Sequence, residues 1–207
     1  MSFHPPKLYP ITDGQLSGLS HADQLVRLAA GGVTLIQLRE KYLPSETFYQ
    51  EAEAALLFAR QLGVKVIIND RVDIALALHA GGVHLGQDDI PTEAARKLLG
   101  PAAIIGLSVH NAKQAKDATG LPIDYLAAGP IFRTRSKDNP DPFLGLDGLR
   151  DIRRTVGSIP LVAIGGINLE NVRAVLEAGA DSVAIIGALL SKPGEIEGST
   201  RSFLARV

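Results

Sequence analysis

Two carboxylates follow neighbouring strand-like runs in the first half of the chain. Asp70 ends the run 65–70 and Asp89 ends the run 82–89, with a short helix-like segment between them. In a barrel of parallel strands, residues just past the strand ends gather at one mouth, so these two side chains can meet there. Two carboxylates that approach each other without a cation repel, and one of them takes up a proton. The spacing therefore predicts a site for Mg²⁺, which takes one or two protein carboxylates and completes its shell with water and phosphate oxygens.

The second strand-like run ends in polar side chains that suit an anionic ligand. Gln37, Arg39 and Lys41 alternate along the chain, so they offer one amide and two cations to the same side of a strand. An ordinary surface pair between Arg39 and Glu40 is the alternative interpretation. The fifth run ends in Ser108 and, two residues later, a histidine.

A long loop follows the sixth run. Residues 133–142 carry two hydroxyls, three cations and two prolines, and this segment is too long for a minimal connection between a strand and a helix. Its composition favours a mobile lid over an anion, and a merely solvated loop is the alternative. Gly166 and Gly187 follow the seventh and eighth runs, where a barrel commonly binds phosphate with backbone amides. The strand ends together predict two anion sites at one mouth, which suggests joining of two phosphorylated ligands.

Eight strand-like runs alternate with helix-like segments and carry the argument for the fold. Several runs are almost continuously apolar, as expected for strands that are covered on both faces. We expect an α/β protein, a single compact (β/α)8 TIM barrel over residues 1–207. A doubly wound open sheet is the alternative. The absence of a Gly-x-Gly-x-x-Gly motif after the first run favours the closed barrel. The predicted strands are Lys7 to Thr12, Val33 to Leu38, Lys65 to Asn69, Gly82 to Leu85, Ala103 to Val109, Tyr125 to Ile131, Pro160 to Ile164 and Ser182 to Ile186. The predicted helices include Ser20 to Ala30, Glu46 to Leu62, Arg71 to His79, Thr92 to Leu99, Leu146 to Val156 and Leu169 to Ala178.

Composition excludes several classes of protein. The formal net charge of -1 gives no reason to expect a nucleic-acid surface or a polybasic membrane anchor. The chain contains no cysteine, so disulfides, thiolate metal sites and a cysteine nucleophile are excluded. No apolar run is long enough to span a bilayer, and the first ten residues lack the apolar segment of a signal peptide. We therefore expect a cytoplasmic protein.

The strand-end motifs, taken in order through nearly the whole chain, resemble the thiamine phosphate synthase family. The residues that carry this resemblance are Gln37 to Lys41, Asn69-Asp70, Gly86 to Asp89, Gly106 to His110, Gly129 to Phe132, Lys137 and Ile164 to Ile167. The resemblance implies a transferase that joins hydroxymethylpyrimidine diphosphate to a thiazole phosphate and releases diphosphate.

The resemblance also implies roles for individual residues. Asp70 and Asp89 would bind Mg²⁺, and Arg39, Lys41, Ser108 and Lys137 would act in catalysis. The pyrimidine diphosphate would be bound by Gln37, Arg39, Lys41, Asn69, Ser108 and Lys137. The thiazole phosphate would be bound by Thr134, Ser136, Gly166, Ile186 and Gly187. Leu38, Glu40 and Arg135 are further expected substrate-binding residues. Arg133 and Arg135 depart from the small or uncharged residues that are more usual in this loop.

A related tautomerase family shares the barrel and acts on the thiazole phosphate alone. Such an enzyme would use His110, and it needs no diphosphate site, whereas this chain retains Asp89 and Lys137. A phosphate-binding regulatory barrel without activity is a further alternative. The expected partners are small-molecule substrates, with no nucleic acid and no membrane, and a homodimer is compatible with the sequence.

Overall fold

Eight parallel strands run around a barrel and place their carboxyl ends at one mouth. The computed structural model describes residues 3–133 and 142–207. The hydrogen-bonded order is β1-β8-β7-β6-β5-β4-β3-β2, with every registered pair parallel. A parallel bridge between Ile11 and Gln37 connects the first and second strands. The strands are β1 Leu8–Pro10, β2 Leu35–Leu38, β3 Lys65–Asn69, β4 Gly82–Leu85, β5 Ile104–Val109, β6 Tyr125–Ala128, β7 Leu161–Ile164 and β8 Ser182–Ile185. The predicted TIM barrel is thus confirmed.

Helices cover the outside of the barrel in the described part of the chain. Ser20 caps the second helix by accepting a hydrogen bond from the backbone N–H of Asp23, and Gly63 ends the third in the left-handed conformation, with φ 68°. The α-helices are α1 Gly14–Ser17, α2 His21–Ala30, α3 Ser45–Leu62, α4 Val72–Ala77, α5 Thr92–Leu99, α6 Ala112–Asp117, α7 Gly145–Val156, α8 Val172–Glu177, α9 Gly187–Leu190 and α10 Ile196–Leu204.

Alternation along the strands divides the apolar residues into two layers. Side chains that point out of the barrel pack under the helices, as Leu8, Ile36 and Ile68 do. Side chains that point inward form a smaller cluster, which includes Tyr9 and Tyr125. The barrel interior is therefore a packed core, and ligands can reach only its mouth.

The helical faces are predicted only in part. The apolar spacing in α3 predicts a buried stripe with Phe58 and Leu62, but this prediction is wrong, because these side chains are 44% and 50% exposed. In α8 the apolar spacing predicts a buried stripe of Val172, Val175 and Leu176. Val172 and Val175 are fully buried, whereas Leu176 is half-buried. The sequence also predicts Asn168 as the N-cap of the helix that follows it, but the N-cap of α8 is Asn171. Asn168 instead accepts hydrogen bonds from backbone N–H groups of the turn that precedes α8.

Two further expectations concern the chain as a whole. No helix in the described ranges is both long and apolar enough to cross a membrane. The assignment of residues 1–207 to a single domain stays a prediction.

Gly106 lies where two side chains meet inside the barrel. A Cβ atom at this position would be 2.1 Å from Cζ of Tyr125 and 2.5 Å from Nδ1 of His84. Both neighbours are buried rings that are hydrogen-bonded to each other at 2.9 Å, so neither can move without breaking that contact. Glycine is thus required here by the packing of the interior.

We predict that Gly106→Ala lowers the free energy of unfolding by about 1–3 kcal/mol or more, as overpacking of a filled core does. Urea unfolding followed by circular dichroism measures the effect. Gly198→Ala is the matched control, because apart from the backbone of its own helix and its two chain neighbours no atom of the described residues lies within 4 Å of a Cβ at that position in α10, and we expect it to cause no loss. Equal stability of the two variants would contradict the packing described here.

Candidate active site

Asp70 and Asp89 lie together at the ends of β3 and β4. The backbone N–H of Asp70 donates to the His84 carbonyl at 2.8 Å, and Asp70 itself adopts the left-handed conformation, with φ 59°. Asp89 turns back to accept a hydrogen bond from the backbone N–H of Gly86 at 2.6 Å. Lys41, from the loop after β2, forms an ion pair with Asp70. The structure thus brings two carboxylates and one cation from three neighbouring strand ends to the same place.

The proximity of the two carboxylates is evident in the pKa of Asp89. Partial burial raises this pKa, and the nearby Asp70 carboxylate raises it further, while the Gly86 N–H and Lys41 oppose the shift. A second positive charge at this position would relieve both unfavourable effects.

The donor set fits Mg²⁺. Next to Asp70, the side-chain oxygen of Asn69 is buried and has no hydrogen-bond partner among the described residues. Its amide nitrogen donates to the His84 carbonyl at 3.4 Å, which leaves the oxygen directed elsewhere. Within residues 3–133 and 142–207, no group of three or more His, Cys, Asp or Glu side chains could hold a metal. Two carboxylates with an amide oxygen are consistent with an ion that retains several waters and binds a phosphate group.

The loop after β2 is held by contacts that the sequence does not predict. Burial alone would raise the pKa of Glu40, but the N–H groups of residues 41–43 and the ring of His21 outweigh it and hold this pKa below its ordinary value. Nδ1 of His21 lies 2.7 Å from the Thr12 hydroxyl. Arg39 pairs with Asp13 at 3.2 Å instead of with Glu40. Glu40 thus shapes the loop that presents Lys41.

Gln37 and Leu38 occupy opposite faces of β2. The side chain of Leu38 is fully buried in the layer under the helices, so only its backbone can meet a ligand. Gln37 points into the barrel and is 2% exposed.

A chain of buried polar contacts runs inward from Gln37. Nε2 of Gln37 lies 3.1 Å from the Tyr9 hydroxyl, which in turn lies 3.1 Å from the Tyr125 hydroxyl. The Tyr125 hydroxyl is 2.9 Å from Nδ1 of His84, and Nε2 of His84 is 2.9 Å from the Ser108 hydroxyl. Burial raises the pKa of both tyrosines and lowers the pKa of His84 to about 4, so these groups are neutral near pH 7.

Ser108 and His110, at the end of β5, form hydrogen bonds with different neighbours. The carbonyl of Ser108 accepts from the Gln87 side chain at 2.6 Å, and the residue as a whole is half-buried. Nδ1 of His110 donates to the Gly129 carbonyl at 2.6 Å and so connects the ends of β5 and β6.

The predicted phosphate cradle lies on the far side of the mouth. Gly165 and Gly166 have φ of 100° and 66°, and a Cβ at Gly166 would lie 2.6 Å from the Arg133 carbonyl. Ile186 and Gly187 follow the adjacent strand β8, and α9 begins at Gly187, where the first turn of a helix leaves backbone N–H groups without helical partners. These positions are next to each other in the ring, as the sequence predicts.

Four of the predicted site residues lie outside the described residues. They are Thr134, Arg135, Ser136 and Lys137. Their roles, and the lid, stay predictions.

The sequence gives no reason to assign a role to Tyr9, Tyr125 or His84. Their positions follow the inward half of the two-residue alternation in β1, β6 and β4. That alternation could have marked them as barrel-facing polar groups. It could not have shown that they contact one another.

Comparison with known proteins establishes the family. The model described as "Thiamine monophosphate synthase" matches residues 8–189. The chain belongs to this family. A thiamine-phosphate synthase of Syntrophomonas wolfei is 45% identical over 195 residues, which cover 94% of this chain and 92% of the relative. Another, from Koribacter versatilis, is 47% identical over 195 residues, covering 91% and 90%.

A solved structure agrees with these relatives. The thiamine phosphate pyrophosphorylase from Pyrococcus furiosus superposes with a TM-score of 0.85 and 37% sequence identity, covering 96% of this chain and 94% of that protein. The barrel of this chain thus has the same fold as that pyrophosphorylase.

We predict that Mg²⁺ together with inorganic diphosphate raises the Tm of the parent protein but not that of Asp89→Asn. Ligands that bind only the folded state stabilise it, and the variant lacks one of the two carboxylates. Differential scanning fluorimetry measures the shift. Asp88→Asn is the control, because this neighbouring carboxylate is exposed, and we expect its shift to match that of the parent.

Asp89→Asn should also change the stability of the protein when no metal is present. Because the folded-state pKa of Asp89 is raised, the native protein holds a proton that the unfolded chain has already lost, and stability falls as pH rises through that interval. Asp89→Asn removes this charge, so at neutral pH we expect it to unfold at the parental Tm or higher. A stabilisation of Asp89→Asn by Mg²⁺ and diphosphate equal to that of the parent would refute the metal assignment.

Proposed function

We propose that this protein is a thiamine-phosphate synthase. It joins 4-amino-2-methyl-5-hydroxymethylpyrimidine diphosphate to a thiazole ethyl phosphate, giving thiamine phosphate and diphosphate; a carboxythiazole ethyl phosphate would give the same products with release of CO2. The observation that carries the proposal is the meeting of Asp70, Asp89 and Lys41 at the mouth of a barrel whose sequence belongs to this family.

We assign the metal site to Asp70 and Asp89, with the side-chain oxygen of Asn69 directed either to the ion or to the substrate. When bound, Mg²⁺ would supply positive charge to the diphosphate leaving group. The raised pKa of Asp89 and the unpaired oxygen of Asn69 support this assignment, since both are unfavourable until a positive charge or a donor arrives.

Arg39 and Lys41 would bind the diphosphate from the side of β2. Lys41 is paired with Asp70 at a partly exposed position, so its ammonium can exchange this partner for a phosphate oxygen once Asp70 binds a metal. Arg39 uses one nitrogen for Asp13, which orients the guanidinium and leaves other N–H groups to donate. Lys137 would complete this set of cations.

The chemistry that follows is a dissociative substitution. Cationic groups aimed at the diphosphate stabilise the charge that develops as its carbon–oxygen bond breaks. The electron-rich aminopyrimidine delocalises the resulting cation, and the thiazole nitrogen then captures it. No side chain needs to act as a nucleophile, and Ser108 contributes a hydrogen bond to the pyrimidine substrate.

The thiazole phosphate would lie across the mouth, at Gly166, Ile186 and Gly187. Glycine conformations that other residues rarely adopt, and the start of α9, support this placement. Thr134, Arg135 and Ser136 would contact the same phosphate.

The tautomerase alternative is not favoured. The relatives reported above are named as synthases, and His110 has a structural partner in the Gly129 carbonyl. A cytoplasmic location and a homodimer stay predictions.

Mixing the protein with both phosphorylated substrates and Mg²⁺ tests the proposal. We expect thiamine phosphate, detected by chromatography, and expect none in excess EDTA. Absence of product with Mg²⁺, or unchanged formation in EDTA, would contradict the proposal.

A pair of variants separates the synthase from the tautomerase. A synthase depends on charge stabilisation at the diphosphate, so Asp89→Asn should abolish coupling while His110→Asn retains measurable activity. A tautomerase needs a group that moves a proton, so the pattern would be reversed. Steady-state rates of the two variants decide between them, and an inactive His110→Asn beside a fully active Asp89→Asn would favour the tautomerase.

A further inference from the structure

The buried polar chain that ends at Ser108 has a definite direction of hydrogen bonding. An amide nitrogen can only donate, so Nε2 of Gln37 donates to the hydroxyl oxygen of Tyr9. Tyr9 then has one hydrogen, and the remaining partner that can accept it is the Tyr125 hydroxyl, at 3.1 Å. Tyr125 in turn donates to Nδ1 of His84, at 2.9 Å.

This direction of hydrogen bonding fixes which ring nitrogen of His84 carries the hydrogen. Because Nδ1 of His84 accepts, the neutral ring carries its hydrogen on Nε2 and donates it to the Ser108 oxygen at 2.9 Å. The hydroxyl hydrogen of Ser108 then has no acceptor among the described residues, and it can be donated to a ligand at the mouth. In the opposite direction, Ser108 would donate inward, and Tyr9 would be left with a hydrogen that neither of its partners could accept.

Packing keeps the two central rings in place. The rings of His84 and Tyr125 are stacked, with centroids 5.5 Å apart and planes inclined by 22°. Gly106 lies against both, and a Cβ there would be 2.4 Å from the Tyr125 hydroxyl oxygen. The geometry of the hydrogen bond between them is therefore set by the core and does not depend on the ligand.

We propose that Tyr125 is a positioning residue: by donating to Nδ1 of His84 it fixes the tautomer of that ring, and so leaves the Ser108 hydroxyl as a donor toward the pyrimidine diphosphate. The proposal rests on the proposed function for the identity of the substrate. The assignment of the His84 tautomer does not depend on the proposed function.

Tyr125→Phe removes only the hydroxyl. The energy of one hydrogen bond corresponds to a loss of roughly 2- to 12-fold in kcat/KM for the pyrimidine diphosphate. The KM for the thiazole phosphate should not change, because that substrate lies across the mouth. Ser182→Ala is the control: it removes another buried hydroxyl of the barrel, one without a hydrogen-bond partner among the described residues, and we expect parental rates.

A double-mutant cycle separates positioning from general loosening of the core. If Tyr125 acts through Ser108, then Tyr125→Phe causes no further loss in a Ser108→Ala background. A loss of the same size in both backgrounds, or a Tyr125→Phe variant within measurement error of the parent, would overturn the proposal.

Nitrogen-15 NMR of the imidazole gives a result that does not depend on turnover. We expect His84 to be in the Nε2–H form in the parent and to lose this preference in Tyr125→Phe. An Nδ1–H form in the parent would overturn the proposal. If the parent forms no thiamine phosphate, the proposed function fails, whereas the NMR result still decides the role of Tyr125.

Discussion

Asp70 and Asp89 bring two negative charges together in a partly buried corner of the barrel mouth, where their repulsion must be compensated. The fold brings them together because β3 and β4 are hydrogen-bonded neighbours, Asp70 follows β3 directly, and Asp89 follows β4 after residues 86–88. Lys41 pairs with Asp70 and only partly offsets the unfavourable effects on Asp89, whose pKa stays above its ordinary value. The electrostatics of the site are therefore incomplete until a further positive charge arrives, and a ligand that brings Mg²⁺ with a diphosphate meets this need.

The strands were predictable because each is a short apolar run ended by polar residues, and the paired sheet fixes where those ends meet. This is why Asp70, Asp89 and Gly166 could be placed at the mouth from sequence alone. Side-chain partners could not be predicted in the same way. Glu40 follows Arg39 in the chain, yet the structure directs it to backbone N–H groups and a histidine ring. The spacing of residues in the sequence predicts on which face of a strand or helix a side chain lies, but it does not predict which of several polar neighbours that side chain contacts.

Interior contacts were beyond the reach of the sequence for a related reason. His84 and Tyr125 are 41 positions apart, and only closure of the ring brings their side chains to 2.9 Å. Phe58 and Leu62 are exposed for a different reason. The apolar residues of α3 spread over more of the helix surface than its neighbours cover. Apolar periodicity thus indicates a helix more reliably than it indicates which residues are buried.

Metal and diphosphate should bind as a unit if this account of the mouth is correct. By linkage, a ligand that raises the affinity for Mg²⁺ must itself bind more tightly in the presence of Mg²⁺. Calorimetric titration of Mg²⁺ into the protein, with and without the pyrimidine diphosphate, measures this coupling. We predict an affinity for Mg²⁺ that is roughly 5- to 150-fold higher with the diphosphate, the usual range of such coupling. An equal affinity in both titrations would contradict the account.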